Sequence, residues 1–437
     1  EIKVYLNGDD NSATDNKYGT CAVSGSIFGC NNTNGSPKDD VVVHIYKTVG
    51  LKSDGTINTT KPDYGTYEQT AVYGGGNNAA YTAAAGKSTQ VIIEDGSSIA
   101  SVFGGGNNAA VVASNVDVKG AYEINNVYGG GNQAGTTGNS VVTVEGGKVT
   151  TGVYGGCNAS GTIGGSSTVT VTGGQIGVGT LDLTATPKVF NLTTKGNVFG
   201  GGYGQNTYVS GNVVVNIGTS TTTTTGEGDS QTTTTTYGGN AVIYGDVYGG
   251  GALGHVNGVA NTGATIPVTA TNGATTTVNL NKGTIYGDAY GGGLGDATNA
   301  AYVGGTVNVY QNEVAYIIDY DTDDTNAQVV KSGRIFGCNN LNGYPLGNVT
   351  VTVNKTVEGN ISRSATVNKD NNPTYELAAV YGGGNLANYS ATGRKASVVI
   401  NGCPYTSIET VYGGGNAAAV PETNVLVRGA YEIGTVF

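Results

Sequence analysis

The chain of 437 residues has no Met, no Trp, only two His and 8 Pro, and only 12% of its residues are charged. An ordinary helical enzyme does not have this composition. Too few prolines, and glycines that cluster instead of recurring every third residue, exclude collagen. Lys+Arg 20 against Asp+Glu 31 leaves a net charge of −11, so nucleic acid and anionic membrane surfaces are repelled. No apolar run approaches the ~18 residues of a membrane span. The chain opens in a strand-like stretch, Ile2 to Leu6, with no signal peptide before it, and the lack of Met suggests a mature or internal segment. The five cysteines, Cys21, Cys30, Cys157, Cys338 and Cys403, form no CxxC, which leaves zinc poorly supported. They read as small buried packing residues, with a Cys21–Cys30 disulfide as the open alternative.

What is abundant is glycine, 76 residues, together with Val, Ile, Thr and 28 Tyr. β-branched and aromatic residues favour strands, so the expectation is an all-β fold rather than disorder. One short phrase, apolar-aromatic-Gly-Gly-Gly-Asn or a near variant, recurs twelve times when the truncated last copy is included. Its aromatic members are Phe28, Tyr73, Phe103, Tyr128, Tyr154, Phe199, Tyr248, Tyr290, Phe336, Tyr381, Tyr412 and Phe437, spaced 25 to 49 residues apart. A small or branched apolar residue precedes each. Ahead of the phrase comes a Val/Thr alternation ending in Gly-Gly, as in Ser140 to Val149 and Ser167 to Ile176, the pattern of a strand and a turn.

A 25-residue unit of short strands cannot bury its own apolar face and must stack on its neighbours. The predicted fold is therefore one continuous parallel β-solenoid over residues 1–437, about one coil per phrase. Gly-Gly-Gly is expected to supply positive-φ corners. The following Asn (Asn77, Asn107, Asn132, Asn158, Asn385, Asn416) is expected to tolerate the left-handed conformation and to hydrogen-bond its equivalents in adjacent coils. Longer intervals read as coils carrying insertions. One insertion, residues 219–236, holds two five-Thr runs and reads as a flexible surface loop open to O-glycosylation.

A longer repeat of 308 residues is also visible. Ile27-Phe-Gly-Cys-Asn-Asn32 returns as Ile335-Phe-Gly-Cys-Asn-Asn340, and Lys119-Gly-Ala-Tyr-Glu-Ile124 as Arg428-Gly-Ala-Tyr-Glu-Ile433. The repeat covers about 1–308, with 309–437 as an incomplete second copy, and the chain reads as cut from something longer. VYGGGN phrases joined by STVTVTGG strands resemble the arrays of very large bacterial cell-surface and secreted β-solenoid proteins of adhesin-like character. The resemblance implies an extracellular location and a role as stalk, fibre or adhesive shaft.

Three rows carry candidate sites. The aromatic row, Tyr and Phe interchangeably, reads as a structural stack, with an exposed stripe for sugar rings as the functional alternative. Two residues before the aromatic stand Asn197, Asp246, Asp288 and Arg334 in successive coils; Arg334 is expected to compensate the carboxylates, a bound cation being the alternative. Acidic stretches at Asp9, Asp10, Asp15 and at Asp319, Asp321, Asp323, Asp324 occupy matching places in the long repeat. The second begins D-x-D-x-D, but Asp324 and Val330 replace the Gly and Glu of an EF-hand, leaving a looser Ca²⁺ site against a solvated acidic loop.

His44 and His255 stand several coils apart, and no nucleophile triad, HExxH or Walker loop is present. The chain therefore reads as a non-enzymatic extracellular fibre without cofactor, its partners further copies of itself or continuation of the same chain end to end. The first alternative is a carbohydrate-binding adhesin that engages glycans or a host surface. The second is a β-helix polysaccharide lyase or hydrolase using Asp246 and Asp288.

Overall fold

The structure is a computed structural model that describes residues 1–7, 23, 25–46, 48, 50–51, 57–58, 69–94, 98–121, 123–182, 189–226, 231–318, 320–321, 329–330, 332–356, 375–402 and 405–437. Among these residues there is no helix, and the fold is the expected all-β parallel solenoid. Two long ladders of parallel strands run through it. The first joins twelve strands, from Ile2–Leu6 through Val41–Ile45 and Ser140–Val144 to Thr423–Val427. In every one of them the same register position is valine: Val4, Val43, Val91, Val116, Val142, Val169, Val215, Val278, Val309, Val351, Val398 and Val425. From Val43 to Val398 these side chains are fully buried. β-branched residues are stiff and suit a pleated surface, and burial of such a column is the main source of inter-coil stability.

The second ladder carries the repeated phrase, from Ile27–Phe28 through Lys148–Tyr154 to Glu432–Val436. Val127, Val153 and Val198 occupy one inward column in successive coils and are fully buried. A third, narrower row links Val111, Thr136, Ile163, Val209, Val256, Val303 and Pro345 by parallel bridges and short strands. The inward apolar side chains of the two long ladders and Ile163, Val209, Val256 and Val303 of the third row meet in one core, while Val111 packs with Val41 and Tyr81 in a smaller cluster.

Insertions leave the ladders as antiparallel hairpins, for example Gln175–Asp182 with Val189–Lys195 and Gly258–Ala260 with Val268–Ala270. The Thr-rich insertion corrects the sequence expectation of a flexible loop. Thr219–Thr225 pairs with Thr232–Gly238 in a regular antiparallel hairpin whose Thr hydroxyls pair across it, Thr222 with Thr235 at 3.0 Å and Thr224 with Thr233 at 3.3 Å. Threonine is a strong strand former, and its hydroxyl needs no burial, so a hairpin forms here without a core of its own.

Candidate functional site: three axial rows

Strand alternation decides the aromatic row. With the preceding Val pointing into the core, the ring points to the opposite face. There the twelve rings from Phe28 to Phe437 form one unbroken stack, with adjacent centroids 4.6 to 5.0 Å apart and planes within 11°. Tyr73, Phe103, Tyr128, Tyr154, Phe199, Tyr248, Tyr290, Phe336 and Tyr381 are buried in a second core of their own. From Tyr73 to Tyr381 the rings are buried, so they present no exposed stripe for sugar rings. Burial pushes the Tyr381 phenol up to about 12 and those of Tyr128, Tyr154, Tyr248 and Tyr290 well above their ordinary value, which keeps them neutral hydrogen-bonding groups.

The glycine triplets are needed for a different reason from the one expected. Among the described residues, none of the triplet glycines has a positive φ; that conformation falls on the second glycine of the strand-ending pairs, Gly147 (77°) and Gly174 (74°). In the triplets the constraint is close approach. A Cβ on Gly74 would lie 2.4 Å from the Gly104 carbonyl oxygen, and one on Gly105 2.7 Å from the Gly131 nitrogen. Successive coils touch backbone to backbone at this corner, where only glycine fits. Hydroxyls seal it, with Ser114 donating to Gly129 O and Ser140 to Gly155 O, both at 2.7 Å. Ser or Thr opens the strand at this position in some coils (Thr89, Ser114, Ser140, Ser167, Thr276, Thr423), while Val213, Val307 and Ala396 stand there in others.

Asn77, Asn107, Asn132 and Asn158 form a carboxamide ladder in which each Nδ2 donates to the Oδ1 one coil earlier, at 2.8 to 3.0 Å, beginning on Asn32. Asn340, Asn385 and Asn416 form a second run at 2.9 Å. None of these adopts the left-handed conformation, which among described non-glycine residues occurs at Asn7 and Asn257. Asparagine stands here for its donor and acceptor, not for its backbone. Between the runs, backbone hydrogen bonds place Tyr203, Ala252 and Leu294 at the equivalent positions.

Those coils hold the charged row. Asn197 Oδ1 accepts the Asp246 N–H at 2.7 Å, Asp246 Oδ1 the Asp288 N–H at 2.8 Å, and Asp288 Oδ1 the Arg334 N–H at 2.8 Å. The other carboxylate oxygens accept Tyr248 OH at 2.9 Å and Tyr290 OH at 3.3 Å. Arg334 closes the row with Nη2 2.7 Å from Asp288 Oδ2, and its guanidinium lies 5.2 Å from the Phe336 ring centroid. Asp-x-Tyr twice and Arg-x-Phe once was the unread sequence signal: a hydroxyl where a carboxylate needs a donor, a bare ring where a cation lies over it. Asp288 is 3% exposed; burial and the nearby Asp246 raise its carboxyl to about 6 against the pull of Arg334. Asp246 and Asp288 therefore do not present two accessible carboxyls to a polysaccharide.

Asn340 Nδ2 donates to Tyr248 OH at 2.8 Å, so this phenol takes the place of the missing carboxamide acceptor. The acidic stretches at Asp9, Asp10, Asp15 and at Asp319, Asp323, Asp324 lie outside the described residues, as does the Asp321 side chain. Among the described residues no three His, Cys, Asp or Glu gather as a metal cluster. His44 pairs with Glu94 at 3.0 Å, while His255 is buried with its pKa lowered to about 4 by desolvation. Cys30, Cys157 and Cys338 are free thiols, and burial raises those of Cys30 and Cys157 to about 12. Cys21 and Cys403 lie outside the described residues. Comparison of the chain with family models, curated proteins and solved structures gives no match.

Proposed function

We propose that the chain is a non-enzymatic structural shaft, a segment of an extracellular fibre or stalk on a bacterial surface, with further copies or more of the same polypeptide as its axial partner. The observation that supports this is the stack of twelve rings, which passes every coil without a gap or a change of spacing. Inter-coil hydrogen bonds and stacked rings both lie along the axis, so force along or across the shaft is shared among many equivalent contacts. The rows are spent on contacts between coils, and the rings from Tyr73 to Tyr381 and Asp288 are buried. Electron microscopy of the native material tests the reading. A thin uniform filament with an axial repeat of ~38 Å, eight coils at about 4.8 Å, is expected. Isolated short rods bearing globular tips would overturn it.

A further inference from the structure

The hairpin of Thr219–Thr225 and Thr232–Gly238 is a two-stranded sheet with no third strand among the described residues. All seven residues of its first strand are exposed. Two-stranded hairpins are marginal in water, and proteins normally blunt open strand edges with charge, proline or shortness. The other insertions follow that rule: Asp182 and Lys195 end the strands of one, Pro267 precedes the second strand of another, and a third has strands of only two residues. The Thr hairpin follows none of it. Its strands read Thr-Ser-Thr-Thr-Thr-Thr-Thr and Thr-Thr-Thr-Thr-Thr-Tyr-Gly, uncharged in a chain of net charge −11.

We propose that the free edge of Thr219–Thr225 pairs, antiparallel and about a two-fold axis at Thr222, with the same strand of a second copy, joining two solenoids side by side. The sequence of the strand is nearly self-complementary. Centred on Thr222, every residue meets Thr except at the Ser220–Thr224 pairs, so the rungs repeat the Thr–Thr contacts already made inside the hairpin. Charge selects the direction. The segment joining the two strands carries Glu227 and Asp229, which a parallel arrangement would place together. Antiparallel order separates them. The contact is isologous and closes on itself, so it adds lateral pairing to the axial assembly proposed above and stands without it.

The hairpin can be removed cleanly, because a Cβ on Gly239 would lie 2.9 Å from Gly218 Cα: the two glycines at its base are already neighbours. Sedimentation equilibrium of the full chain from micromolar to near-millimolar concentration is the test. A monomer–dimer equilibrium is expected, weakened at least tenfold in Thr222→Lys and lost when residues 219–238 are deleted, with the melting transition of the solenoid retained. Thr222→Cys is expected to crosslink to itself under mild oxidation where the parent chain does not. A parent chain monomeric throughout, or a dimer unaffected by the lysine or the deletion, would overturn the proposal.

Discussion

The coils of the two Asn runs and the three coils between them solve one packing problem with different chemistry. From Asn32 to Asn158, and again from Asn340 to Asn416, a neutral carboxamide at each corner donates backward and accepts from ahead, and each link is independent of the rest. In the coils of Phe199, Tyr248 and Tyr290 that position is Tyr203, Ala252 or Leu294, and the polar row runs instead through Asn197, Asp246 and Asp288 and ends on Arg334 of the Phe336 coil. The aromatic stack crosses both regions unchanged. The lesson is one of division of labour. The parallel backbone ladders set the rise per coil, and the ring stack and the polar rows match that spacing. A neutral row can be lengthened indefinitely, whereas carboxylates repel and their row must end on a cation.

The largest expected effect breaks the charged row. Arg334→Leu leaves the buried Asp288 without its counter-charge and is expected to cost about 3–5 kcal/mol at neutral pH. The loss should shrink on acidification, because an orphaned carboxyl can take up a proton; urea unfolding at pH 7.5 and 4.5 measures both. Next is the corner common to both regions. Gly105→Ala and Gly250→Ala each force a Cβ to within 2.7 Å of the next coil's backbone, and each is expected to destabilise by about 1–3 kcal/mol or more. If close approach is the constraint, the two should lower the melting temperature similarly, although one lies in an Asn coil and the other in a charged coil.

A paired substitution separates the regions further. Tyr248→Phe removes a hydroxyl bonded to both Asp246 and Asn340 and should cost about 1–3 kcal/mol, whereas Tyr73→Phe removes one 3.4 Å contact to Asn107 and should cost under about 1 kcal/mol. Equal melting shifts would mean that Tyr248 OH does not replace a ladder member. The smallest effect is with pH, and its two parts oppose each other. Asp288, raised from 3.8 to about 6, binds its proton more tightly folded than unfolded, so its contribution is full below 3.8 and is lost as pH rises through 6. His255, lowered from 6.5 to about 4, contributes fully above 6.5, and that contribution is lost as pH falls through 4. Asp288→Asn and His255→Gln should therefore tilt the stability curve between pH 4 and 7 in opposite directions.

Much of the architecture was legible because a solenoid repeats its constraints in sequence. The aromatic residues, the apolar residue ahead of each and the Val/Thr strands mark one coil each, and each row in the structure joins like positions. The invariant Val4-to-Val425 column was equally available, although varying insertion lengths obscure it. Three readings failed for physical reasons. Triplet glycine was assigned to φ when contact between coils requires it, because a sequence shows glycine without showing what lies against its α-carbon. The Asn corner was assigned left-handed backbone for the same want of neighbours. The Thr run was read as a loop because an apolar pattern was sought, while strand propensity and a partner strand were enough.

By itself the sequence determined the parallel stack, the repeating unit and the identity of the aromatic and Asn rows, because a period that no single unit can bury admits one stacked solution. Only the tertiary structure decided which side of each row faces solvent. Whether a ring is a sugar platform or a buried stack, and whether Asp246 and Asp288 form a reactive pair or a capped charge row, depends on how the chain turns back after the triplet. Burial and the partner's position within a hydrogen bond's reach are set by coils 25 to 49 residues away, and spacing along one chain does not encode them.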